Sequence, residues 1–222
     1  LIYVPFPLAP LPDARIRSFQ AVLFLRPRSP SWKRPMEDDF LAWLGQRLPP
    51  DTRLAVSPGD DAAVLSDTAP AATVLCVDTI VEGVDFIFSR DELRLVGRKA
   101  LAINLSDMAA MCSQPLAALV SLVIPPTLTL LDCQQLYEGL LALADEYKVA
   151  IAGGDFTVAE APLSITVSLT GTPSPKGTWL RSGAQAGDSI LVTGELGGSI
   201  LGHHMTFSPR VHEARRISQD WV

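Results

Sequence analysis

Four aspartates, Asp61, Asp78, Asp107 and Asp155, stand where the flanking pattern calls for apolar side chains. Asp61 follows a Gly turn and precedes Ala-Ala-Val-Leu, and Asp78 interrupts the strand-like run Val74-Leu75-Cys76-Val77. Asp107 lies on the apolar stripe of a helical segment, and Asp155 ends a buried strand after two glycines. An ionised carboxylate costs several kcal/mol to bury without a partner, so buried acids are rare unless paired. Each can be given a local role: Asp61 as a cap, Asp78 as a strand-end residue, Asp155 as the hydrogen bonder of a turn. Asp107 would then need a buried cation such as Arg98 or Lys99. The other arrangement is convergence. Like charges about 4 Å apart repel by roughly 4 kcal/mol per pair at an effective dielectric near 20, and bound cations make such a cluster tolerable. Oxygen ligands without Cys or His suit Mg²⁺ better than zinc or copper. The sequence nominates the four residues; it does not show whether they meet.

The surrounding elements read as a mixture of strands and helices without strict alternation, which predicts an α+β fold rather than a doubly wound sheet. Met36–Leu44 has the spacing of a first helix. Short strands are expected at Thr52–Val56 and Ala62–Leu65, and a longer one at Thr73–Ile80. Asp91–Met111 is predicted to be helical, with Val96, Ala100, Ile103 and Asp107 on one face. Leu116–Ile124 reads as a buried strand closed by Pro125-Pro126, and Asp132–Tyr147 as a second helix. Strand Val149–Ala152 is expected to run into a Gly153-Gly154-Asp155 turn, followed by strands Ser164–Thr172 and Ser189–Val192.

Composition removes several function classes. Hydrophobic residues make up 48% and charged residues 19%, enough to bury a core rather than remain disordered. A net charge of −6 argues against sequence-independent nucleic-acid binding, which needs clustered Lys and Arg. The three cysteines are far apart and the three histidines lie near the end without Cys partners, against a zinc site and consistent with a reducing cytosol. Leu1–Pro12 is broken by prolines and lacks a preceding basic stretch, so it is a poor signal peptide. Leu116–Leu131 contains Pro125 and Pro126 and is too short for a membrane span. A cytoplasmic protein is expected, with no nucleic-acid or membrane partner.

Gly153-Gly154-Asp155 adds a weak phosphate signal, since glycines let the backbone approach a phosphate and the Asp can hold its metal. No G-x-x-x-x-G-K-[ST] run exists, and no G-x-G-x-x-G follows a strand, so neither a P-loop nor a dinucleotide fold is indicated.

Several segments in one order resemble a known family. They are Gly59-Asp60-Asp61-Ala62-Ala63, Asp78-Thr79-Ile80-Val81-Glu82-Gly83-Val84-Asp85-Phe86, and the run Lys99 to Met111 containing Asn104-Leu105-Ser106-Asp107-Met108. Then follow Gly153-Gly154-Asp155-Phe156-Thr157, Arg181-Ser182-Gly183 through Asp188, and Val192-Thr193-Gly194. Together they resemble the thiamine-monophosphate kinase family, of the superfamily that includes aminoimidazole ribonucleotide synthetase, selenophosphate synthetase and HypE. The resemblance implies an N-terminal α+β domain of the aminoimidazole ribonucleotide synthetase type. Its mixed sheet, flanked by helices, dimerises and is followed by the start of a second α/β domain. It also implies Mg²⁺ and ATP as cofactors, thiamine monophosphate as substrate and a homodimer as the assembly. Asp61, Asp78, Asp107 and Asp155 match metal positions, where they also bind the cofactor, with the Val77 carbonyl as a further metal donor. Gly154, Asp155 and Arg181 match nucleotide contacts. Tyr137 matches an adenine-side aromatic, or else is a Tyr on a core-facing helix. No residue is expected to act as a covalent or acid–base catalyst.

Three positions depart from the family pattern. Cys76 and Val77 replace the usual Ser-Thr before the strand aspartate. Asp85 stands where the family has a substrate-contacting His, and a carboxylate there would repel a phosphate unless a metal bridged them. Residues 1–35 are expected to be an upstream extension before a natural start at Met36. Residues 36–178 would form the ATP/Mg domain and 179–222 the beginning of an incomplete second one. The competing readings are another ATP-using enzyme of the superfamily and an inert nucleotide-binding or dimerisation remnant.

Overall fold

The computed structural model describes residues 2–4, 17–20, 54–56, 63–65, 73–88, 91–199 and 203–220. The predicted helix Met36–Leu44, the Gly59–Ala62 segment and Asp61 lie outside the described residues.

A six-stranded sheet forms the frame. Its strands are β3 (Leu54–Val56), β4 (Ala63–Leu65), β5 (Thr73–Val81), β6 (Ser113–Ile124), β7 (Ala150–Val158) and β8 (Ser164–Pro173), in the order β3-β4-β5-β8-β6-β7. All pairings are antiparallel except β6 with β7, so the sheet is mixed as expected. Strands β1 (Ile2–Val4) and β2 (Arg17–Gln20) flank β9 (Ser189–Val192) in a separate three-stranded sheet.

Helix α1 (Leu93–Ala110) and helix α2 (Leu130–Tyr147) cover one face of the large sheet. The core there joins alternate strand residues, Val74, Cys76 and Ile80 or Ile165, Val167 and Leu169, to the apolar stripes of the helices. The two helices approach through reciprocal glycines. A Cβ on Gly97 would overlap the Leu136 carbonyl, and one on Gly139 the Arg94 carbonyl. Helix α2 starts with a capping box: Thr129 Oγ1 accepts from Asp132 N at 3.3 Å, while Asp132 Oδ2 accepts from Thr129 N at 2.8 Å. Its C-terminus ends in the left-handed Lys148, φ 59°. Helix α3 (Val211–Asp220) buries Val211, Ala214 and Ile217, and Tyr147 Oη fixes its approach by donating to the Pro209 carbonyl at 2.9 Å.

Helices α1 and α2, strands β5, β8 and β9, and the general class match the sequence expectations to within two or three residues. One local reading is corrected. Gly153-Gly154-Asp155 is not a turn but the middle of β7, where Val120 pairs with Gly154 and Ser121 with Asp155. A Cβ on Gly154 would overlap the Val120 carbonyl, so glycine is needed for strand approach at that point.

Candidate metal and nucleotide site

Strand β5 buries Val74, Cys76 and Ile80, so its period of two puts Asp78 on the same, helix-covered face. Cys76 meets α1 there: its thiol lies 3.6 Å from the Asn104 carbonyl oxygen and 3.7 Å from Asn104 Oδ1. Asn104, fully buried, donates to the Ala100 carbonyl at 3.1 Å. Asp107 follows one turn later on the same helix. The result is two carboxylates, one from β5 and one from α1, close enough for both charges to act on one buried thiol. Burial first, then the charges of Asp107 and Asp78, push the Cys76 thiol up to about 12, so it stays protonated. Asp78 itself is raised above the ordinary carboxylate range, by burial and then by Asp85.

Asp85 is held in the turn after β5. Its Oδ2 accepts from Val81 N at 2.8 Å, and its backbone carbonyl accepts from Lys99 Nζ at 2.6 Å. Burial lowers the Lys99 ammonium, while Asp85 and Asp91 oppose that shift. Lys99 and Arg98, the cations considered as partners for Asp107, thus donate to the Asp85 and Phe207 carbonyls, at 2.6 and 2.8 Å.

Asp155 stands apart. Strand β7 is three strands from β5 in the sheet, or about 14 Å at the usual spacing. Asp155 is exposed and accepts from Thr157 Oγ1 at 3.2 Å. Among the described residues no group of three or more His, Cys, Asp or Glu is gathered in metal-binding geometry. Gly154 lies beside Asp155 against β6, and Arg181 opens an exposed 3₁₀ turn, Arg181–Gly183. Val77 faces the open side of β5, 59% exposed. Tyr137 is partly buried against the core, and burial raises its phenol.

The sequence pattern does not single out the cleft at Ser106. A cavity of about 570 Å³ opens between Ser106 of α1, Glu195 and Leu196 after β9, His203, and Arg210 at the start of α3. The Arg210 guanidinium packs so closely on Gly194 that a Cβ there would come within 2.7 Å of it. The signal was present in Val192-Thr193-Gly194 and Pro209-Arg210, which are 15 residues apart from Gly194 to Pro209 and meet only in the fold.

A mixed sheet under two antiparallel-packed helices, with acids from β5 and α1, fits a known domain type, and the chain belongs to the AIR synthase related protein family, whose N-terminal domain matches residues 59–172. Its curated relatives carry a narrower name. A thiamine-monophosphate kinase of Rhodopirellula baltica is 45% identical over 192 residues, covering 83% of this chain and 60% of the relative. That of Bacillus subtilis is 36% identical over 166 residues, covering 75% and 51%. This chain therefore spans about half to three fifths of the relatives it matches. Among solved structures, AaThiL complexed with AMPPCP and TMP has the same fold at TM-score 0.66 and 22% identity, covering 82% of this chain and 62% of that one. The thiamine monophosphate kinase of Aquifex aeolicus matches at TM-score 0.53 and 27% identity, covering 63% and 44%.

Proposed function

We propose that this chain is the nucleotide-binding part of an enzyme that transfers the γ-phosphoryl group of ATP to thiamine monophosphate. The observation that carries the proposal is the pair Asp78 and Asp107, brought from β5 and α1 to act on one buried thiol, in a chain 45% identical to a thiamine-monophosphate kinase. On this reading residues 36–178 form the nucleotide domain and residues 179–222 begin a second one.

The donor set fits a hard divalent cation. Asp78 and Asp107 offer only oxygen, and burial has already raised the cost of charge at Asp78, which a cation would offset. Asp78 and Asp107 would hold Mg²⁺, with Asp61 and the Val77 carbonyl as further ligands and Asp155 acting from β7. When bound, the metal supplies neutralisation of the phosphate charge. The chain's own residues do the rest. Gly154 leaves β7 without a side chain where backbone could meet a phosphate, and Arg181 brings a mobile-stemmed guanidinium to the nucleotide. The cleft of Ser106, His203 and Arg210 begins one residue before Asp107 on α1 and supplies polar and cationic groups for an acceptor. A phosphate acceptor is already deprotonated near neutrality, so no side chain is asked to act as a base. That agrees with a site built of acids, glycines and arginines.

A homodimer across the open face of the sheet is part of the proposal. Val77 and Leu119 lie there 59% and 53% exposed, large apolar side chains that a second sheet would cover. The three free thiols suit a reducing, cytoplasmic setting. Among the described residues no helix is long and apolar enough to cross a membrane. A second reading, nucleotide binding without turnover, is favoured by Asp85. Its carboxylate is engaged by Val81 N and adds negative charge where the acceptor phosphate would arrive. Chromatographic detection of thiamine diphosphate from ATP and thiamine monophosphate separates the two. Product that disappears in Asp78→Asn supports the kinase, and ATP binding without product leaves the second reading.

A further inference from the structure

A second cavity, of about 250 Å³, shares no lining residue with the candidate site. It lies where the end of α1 runs into β6, under α3 and the loop after β8. Its base is buried and polar: Cys112, Ser113 and Ser218 are 5%, 4% and 3% exposed. Ser218 Oγ sits 2.8 Å from Ser174 Oγ, and Cys112 is held in a left-handed conformation, φ 51°, with its thiol donating to the Ala214 carbonyl at 3.6 Å.

Two cations close the mouth from opposite sides. Lys176 reaches from the β8 loop to the Gln219 carbonyl on α3, Nζ to O 3.2 Å. Arg215 reaches back from α3 to Gln114 on β6, Nη1 to Oε1 3.1 Å. Both acceptors are neutral. In a chain of net charge −6 this is a local concentration of positive charge with no carboxylate among the described lining residues. An oxyanion that replaced the amide and carbonyl acceptors would turn two neutral hydrogen bonds into charge-assisted ones, roughly twice as strong.

We propose that this cavity binds a small phosphate monoester. Lys176 and Arg215 hold the phosphate, the hydroxyls of Ser174 and Ser218 meet its remaining oxygens or the ester's own hydroxyls, and Pro175 walls the carbon portion. The volume exceeds what the oxyanion alone needs, and cations at the rim with hydroxyls at the base suit a short polar alcohol esterified to phosphate.

The test uses the whole chain in EDTA without nucleotide, so the outcome is independent of the kinase reading. The rate of Cys112 alkylation by N-ethylmaleimide, read by peptide mass spectrometry, reports occupancy of the cavity. Glycerol 3-phosphate slows Cys112 saturably, glycerol does not, and Cys133 keeps its rate. Lys176→Gln and Arg215→Gln each weaken the protection roughly tenfold, as expected for loss of one charged hydrogen bond, and Arg215→Lys retains most of it. Both substitutions fall on exposed side chains, and circular dichroism checks that they fold. Equal protection by inorganic phosphate assigns the site to the free oxyanion and overturns the monoester. No protection, or protection unchanged in the double Gln variant, overturns the site altogether.

Discussion

The thiol of Cys76 on β5 donates to the backbone carbonyl of Asn104 on α1, 3.6 Å away, and the charges of both Asp107 and Asp78 act on that buried sulfur. The thiol's pKa, raised from 9.0 to about 12, fixes a pH dependence. A group whose folded pKa is raised contributes stability that is complete below the unfolded pKa and is lost as pH rises through the folded one. Stability should therefore fall between pH 9.0 and about 12 through Cys76. Urea unfolding of the metal-free chain on either side of pH 9.0 checks this: the loss should be smaller in Cys76→Ala than in the parent protein. Equal losses would remove the thiol from the account.

Asp78 carries the opposite bargain between stability and function. Its raised pKa means that ionisation is disfavoured in the fold, so the charge works against stability near neutrality. Asp78→Asn should leave the apo protein as stable as the parent or more so, in thermal melts, while weakening Mg²⁺-dependent ATP binding at least tenfold. A variant that binds ATP normally would take Asp78 out of the site.

Gly97 and Gly139 set the closeness of α1 to α2. Gly97→Ala gains helix propensity of about 1 kcal/mol but drives a methyl into the Leu136 carbonyl. Overpacking of this kind costs about 1–3 kcal/mol, and since the obstacle is backbone, the upper part of that range is expected. Denaturant midpoints should fall accordingly, without loss of cooperativity.

Tyr147 ties α2 to the segment that starts α3 through its 2.9 Å bond to the Pro209 carbonyl, and its ring stacks on His212 at 5.0 Å between centroids. Tyr147→Phe keeps the ring and removes the bond, leaving a buried carbonyl without its donor. A loss of about 1–2 kcal/mol is expected, measured by urea unfolding.

Much of this fold was legible because its elements are long and strongly patterned. Strand β5 shows Val74, Cys76 and Ile80 at a spacing of two, and α1 shows Val96, Ala100 and Met108 at helical spacing. The Gly153-Gly154 pair predicts a turn because paired glycines usually break strands. Here β7 is an edge strand, and the glycine answers to a carbonyl of β6 that no local pattern reveals. Helix α3 went unnoticed although Val211, Ala214, Ile217 and Ser218 are spaced to bury one face; its ten residues fall below the length at which such a pattern stands out. Asp78 and Asp107 stand in the apolar β5 and α1 patterns as the sequence suggests, whereas Asp155 lies exposed within β7 rather than at the end of a buried strand. Their meeting could not be read, since it depends on strand order: Asp78 and Asp107 approach Cys76 through a strand–helix contact, and Asp155 lies three strands away.

The most direct test of the metal–nucleotide site is a calorimetric titration of the chain with ATP, with and without Mg²⁺, repeated for Asp107→Asn. The account predicts binding that requires Mg²⁺ and weakens at least tenfold in the variant. Magnesium-independent ATP binding, or equal binding by Asp107→Asn, would contradict the assignment of Asp107 to the metal.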